Sequence, residues 1–157
     1  MAAGMEQLNL QAGWAVFIGL VAAAEDLRRR QIPNWIPGAA IGGGLLIALS
    51  DGGWAGAVSS VLGLLAGFAV FFVFYALGAM GGGDVKLMAG FGAVLGWSRI
   101  WEASLWTAAA GGVVALGAAV VSMVRRKRSA RPVGGAAEAI PYAPAIALGS
   151  WLALIAN

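Results

Sequence analysis

"MGGGDVKLMAG", residues 80–90, sets three glycines, an aspartate and a lysine between two apolar runs. The run before it, Gly52 to Gly83, carries no charge and is longer than the roughly 20 residues that cross a bilayer. It is therefore expected to hold one helix and a non-helical end, with the triple glycine as that end. The run after it, Leu87 to Ser98, is too short to cross unaided. To reach across, its helix must recruit the residues around Asp84 and Lys86, which places both charges at or just inside the membrane boundary.

The whole chain supports a membrane reading. It has 157 residues, of which 61% are hydrophobic and only 11% charged, whereas soluble domains carry about a quarter charged residues. Its 25 glycines, with abundant alanine, suit helices packed through small side chains. The apolar runs lack the period-two alternation of a membrane barrel. Cysteine and histidine are absent. Disulfides, thiolate nucleophiles, imidazole bases and zinc–cysteine sites are thereby excluded, and neither metal nor cofactor is expected.

Uncharged runs give six spans: 7–24, 31–50, one within 52–83, one around 87–98, 103–124 and 139–157. If the chain alternates sides, the connections after the first, third and fifth spans share a face. Nine of the 10 basic residues then fall on that face: Arg28, Arg29, Arg30, Lys86, Arg125, Arg126, Lys127, Arg128 and Arg131. Only Arg99 falls opposite. The positive-inside rule makes the basic face cytoplasmic, so both termini are extracytoplasmic. The expected architecture is an all-α integral membrane protein, a single domain over residues 1–157. Small residues in "VAAAED" resemble a leader cleavage site, but the basic residues follow the first apolar run, the pattern of a retained span. The basic run "RRKRSAR" is juxtamembrane and has no interleaved aromatics. It is read as an orientation and lipid-contact element, with no nucleic-acid partner.

Two of the seven acids stand apart. Asp26 closes the first span and Asp84 opens the fourth, on the same face. Ionisable groups at membrane depth mark function, and irregular backbone there is tolerated against protein or a water-lined cavity. A cavity holding water and two aspartates is a candidate active site, one carboxyl acting as base and the other as acid. Helix ends suggest the division: Asp84, at an N-terminus, as base, and Asp26, at a C-terminus, as acid.

These residues resemble a known family. "DLRRRQIPN", residues 26–34, is similar to the aspartate and Ile-Pro-Asn signature of the type IV prepilin peptidases. "GGGDVKLMAGFGAVLG", residues 81–96, resembles their Gly-x-Gly-Asp motif with its Lys-Leu continuation. "IPYAPAIALG", residues 140–149, resembles the entry to their last helix. The resemblance implies a six-span aspartic endopeptidase that removes a short basic leader from prepilin-like proteins at the cytoplasmic face of a bacterial inner membrane. Asp26 and Asp84 would be its catalytic pair, and Gly81 and Gly83 would shape the loop. Long members carry a cysteine-paired insertion and also N-methylate the new terminus. Here that loop is short, so a peptidase without methyltransferase activity is expected, resembling the short forms that serve tight-adherence pili or archaeal flagellins.

Supporting roles follow. Pro33 breaks the chain after the first span, Asn34 is expected to cap the second helix, and Pro37 falls in its first turn. Pro141 and Pro144 shape the entry to the last span, where Tyr142 lines the site or lies at the interface. Lys86 either snorkels to water or partners a carboxylate. A proton-coupled transporter or a non-catalytic secretion subunit are the alternatives. The first predicts acids spread through both membrane halves, and here the two informative acids share one.

Overall fold

A computed structural model describes residues 2–78, 80–128 and 142–155. Four helices follow one another: α1 (Ala2–Arg29), α2 (Trp35–Ala76), α3 (Gly82–Arg128) and α4 (Ala143–Ile155). No strand occurs among the described residues. Two stretches, Leu10–Arg29 and Trp35–Ala76, are long and apolar enough to cross a membrane.

α2 has 42 residues. Straight, it would run about 63 Å at 1.5 Å per residue, twice the hydrocarbon thickness. It breaks at Gly53, where φ is 55° and ψ −138°. A β-carbon on Gly56 would meet the carbonyl oxygen of Ala48, so the chain doubles back at the break. α3 breaks likewise at Gly96, with φ 73° and ψ −179°. Each long helix is thus two legs: 35–52 and 54–76 in α2, 82–95 and 97–128 in α3.

The close approaches fix how the legs run. Gly63 abuts Gly92 and Gly67 abuts Met88, so the second leg of α2 is antiparallel to the first leg of α3. The first leg of α2 is parallel to it, since Gly44 meets Val94 and Ala40 meets Gly90. Against α1, the indole of Trp151 in α4 covers Gly19 and donates to the Ala15 carbonyl at 3.1 Å. The first leg of α3 is the central helix. From Asp84 to Gly96 every residue is buried except Lys86. That enclosure explains how a run too short to cross alone has a stable place, with Asp84 at its tip. Two details of the sequence reading change: Gly82 and Gly83 belong to α3 rather than to a non-helical end, and the last helix begins at Ala143 rather than at residue 139.

Breaking α3 strands backbone groups on both sides of Gly96, and side chains take them up. Ser60 Oγ donates to the Ala93 carbonyl at 2.8 Å. Gln11 Nε2 donates to the Val94 carbonyl. The Trp97 amide donates to Ser59 Oγ at 3.1 Å, and Arg99 donates to Gln11 Oε1 at 3.4 Å. Gln11, Ser59, Ser60, Ala93 and Val94 line a cleft of about 290 Å³ at the end of the bundle opposite Asp26 and Asp84.

The break at Gly96 sits in a backbone region essentially reserved for glycine, where another residue costs on the order of 1–3 kcal/mol. A β-carbon there would also lie 2.8 Å from Ser59 Oγ. Gly96→Ala is therefore expected to lower the thermal midpoint in detergent more than Gly53→Ala, whose β-carbon would meet nothing within 4 Å. Equal midpoints for Gly96→Ala and the parent chain would mean that α3 does not turn there.

Candidate active site

Asp26 and Asp84 come together at one end of the bundle, and both are buried, at 6% and 8% exposure. Asp84 is within electrostatic reach of Asp26. A backbone amide holds each carboxylate. The Gly81 amide donates to Asp84 Oδ2 at 3.1 Å, while the Asp84 amide donates back to the Gly81 carbonyl at 3.1 Å. The carboxylate thus caps the start of α3 at its free Gly81 amide, three residues back, while the backbone closes the first turn.

Asp26 is held from further away in the chain. The amide of Ala143, the first residue of α4, donates to Asp26 Oδ2 at 3.0 Å. Behind Asp26, α1 stops because Arg30 adopts a left-handed φ of 52°, and the Arg30 amide closes the last turn on the Asp26 carbonyl at 2.8 Å. Arg29 pairs with Glu25 at 3.3 Å. Asp26 thus ends α1 and caps α4. Both carboxylates face helix N-termini, so the helix-end argument that made one the base and the other the acid falls away.

The glycine loop is tight where the sequence reading placed its key glycines. A β-carbon on Gly81 would lie 3.3 Å from Asp84 Oδ2, and one on Gly83 would lie 3.3 Å from the β-carbon of Ile32. Gly82 faces the ring of Tyr75, 3.6 Å from its would-be β-carbon. Gly81 itself is exposed, leaving one side of the loop open to an approaching chain.

The supporting residues fall differently. Pro33 is half-buried, its carbonyl accepting from the Ile36 amide at 3.1 Å, and Pro37 lies in the first turn of α2. Asn34 stands at the start of α2 but makes no side-chain cap, which corrects the expected capping role. Its Oδ1 accepts from Lys86 Nζ at 3.0 Å. Lys86 therefore partners an amide oxygen in place of a carboxylate. Tyr142 precedes α4 and packs its ring on Gly111 of α3, and Pro144 lies in the first turn of α4. Pro141 lies outside the described residues. Sequence reasoning missed Ala143 and Tyr75, and quoted Ile32 only as part of the Ile-Pro-Asn signature, without a role. Ala143 contributes only backbone, which no side-chain pattern announces. Tyr75 lies in the apolar run ahead of the glycines, where nothing in its sequence context marks it as a neighbour of Gly82.

A family model described as the type IV leader peptidase family matches residues 14–116. The chain is 27% identical to a prepilin leader peptidase/N-methyltransferase of Aeromonas salmonicida (strain A449), over 94% of this chain and 52% of that protein. It is 32% identical to the Bacillus subtilis (strain 168) protein of the same name, over 89% of this chain and 54% of that one. The corresponding figures for the protein so named in Pectobacterium carotovorum subsp. carotovorum are 30%, 100% and 56%. The chain spans about half the length of these curated relatives. No solved structure matches it.

Proposed function

Because the chain belongs to the type IV leader peptidase family, we propose that it is a membrane aspartic endopeptidase cutting the basic leader from prepilin-like substrates. The observation that carries this reading is the meeting of two buried carboxylates beside an exposed glycine, each held by a backbone amide. One carboxylate takes a proton from a water molecule, whose oxygen attacks the scissile carbonyl. The other carboxyl gives its proton to the departing amide nitrogen as the carbon–nitrogen bond breaks. The pair acts as a unit, and either member can serve first. The substrate's apolar helix lies in the bilayer, and its leader meets the open side of the Gly81 loop.

In this proposal residues 1–157 form one domain of six spans, α1, the two legs each of α2 and α3, and α4, with both termini extracytoplasmic. Arg28, Arg29, Arg30 and Lys86 cluster at the carboxylate end, which the positive-inside rule turns toward the cytoplasm, here that of a bacterial inner membrane. Gly81, Gly83, Pro33, Asn34, Lys86, Pro144 and Tyr142 shape the site. The connection between α1 and α2 spans only residues 30–34, where the long forms that the chain resembles carry an insertion, which supports cleavage without methylation. Co-expression with prepilins bearing basic leaders, read by the mass of the product, tests this. Loss of the leader with an unmethylated new terminus is expected. An intact precursor across the panel refutes the peptidase, and a methylated terminus refutes the single activity.

A further inference from the structure

Asparagine is among the best residues for starting a helix, because its side chain takes up a free backbone amide. Asn34 is at the start of α2 and does not do this. Its backbone is already helical, at φ −61° and ψ −20°, and its side chain makes no cap. The side-chain oxygen turns instead to Lys86 Nζ, 3.0 Å away and 52 positions along the chain. Lys86 is as much out of place as its partner. It is the one exposed position between Asp84 and Gly96, and it lies near the positive end of α3, where a cation gains nothing from the helix dipole.

A second contact accompanies the first. Ile32 packs against Gly83, so the connection 30–34 touches the glycine loop twice, once through an apolar side chain and once through a hydrogen bond. The covalent path from Asp26 to Asn34 runs through that connection. The path from Lys86 back to Asp84 is half a helical turn. The hydrogen bond therefore joins the two carboxylate-bearing segments by a short path, close in sequence to Asp26 on one side and to Asp84 on the other. We propose that Lys86 and Asn34 form a latch that holds the two aspartates in register, and that Lys86 is a positioning residue acting through Asn34. This rests on the peptidase reading, since register matters only if the pair works together.

The test uses Lys86→Met, Asn34→Ala, their double variant and Lys86→Arg in the full-length chain, with cleavage of a prepilin in detergent. Each single loss is expected to lower kcat about tenfold, the scale of one lost hydrogen bond, with KM nearly unchanged. The double variant is expected to be no worse than either single, and Lys86→Arg to restore most of the rate. Multiplying losses, or a loss confined to KM, would overturn the latch. A second readout needs no activity. The chain has no cysteine, so Ile32→Cys supplies a single label site for maleimide. Labelling is expected to quicken several-fold with Lys86→Met or Asn34→Ala and to stay slow with Lys86→Arg. Unchanged labelling rejects the latch. If the parent chain cleaves no prepilin, the peptidase reading fails, while labelling still decides whether the connection is held by this pair.

Discussion

Asp26→Asn and Asp84→Asn are each expected to abolish leader removal, by about 10³-fold or more, without unfolding the protein. The substituted amide keeps an oxygen for the Ala143 or Gly81 amide to bond, so the helix starts at α4 and α3 survive. It cannot exchange a proton. Acid–base catalysis by a positioned side chain contributes about 10²–10⁴-fold, and in the proposed mechanism both halves of the reaction need the pair. The effects should also fail to multiply, as for residues that act as a unit. The double variant is expected to be as inactive as either single. The check is substrate mass after co-expression, with the thermal midpoint of each purified variant as the folding control. An active Asp84→Asn enzyme with an intact fold would rule out the paired mechanism.

Gly63→Val and Gly92→Val carry the second large effect, and it falls on the fold. At this crossing a β-carbon on Gly63 would meet the Gly92 carbonyl oxygen, and one on Gly92 would meet that of Gly63. The obstacles are backbone, which no rotamer change can move aside. Overpacking typically costs about 1–3 kcal/mol, and a backbone clash belongs at or beyond the top of that range. In a bilayer, association depends on close packing because lipid is as apolar as the side chains, so separating the helices removes what holds them. Little monodisperse protein should be recovered after extraction. Gly38→Val is the matched control, since its β-carbon would meet nothing within 4 Å. Equal recovery and equal midpoints for Gly63→Val and Gly38→Val would show that α2 and α3 do not cross as described.

The carboxylate pair was legible before any coordinates because each acid interrupts an apolar run at a place where burial is expensive. The helical character was legible for the same reason. The turns were harder to see. Among 25 glycines, nothing in the composition singles out Gly53 and Gly96, whose positive φ emerges only when the legs pack. Asn34 was misread because local preference favours a cap, and the competitor for its side chain comes from 52 positions away. The hold on Asp26 was invisible, because its donor is the peptide group of an alanine.

That last bond has a consequence for how the protein is made. The carboxylate of α1 emerges from the ribosome early, and the amide that grips it belongs to α4, which is synthesised after the other three helices. Until α4 inserts, Asp26 has no Ala143 amide to orient it and the pair is incomplete. On the peptidase reading, the order of translation withholds the oriented pair until α4 closes the bundle, and a chain truncated before α4 is expected not to cleave.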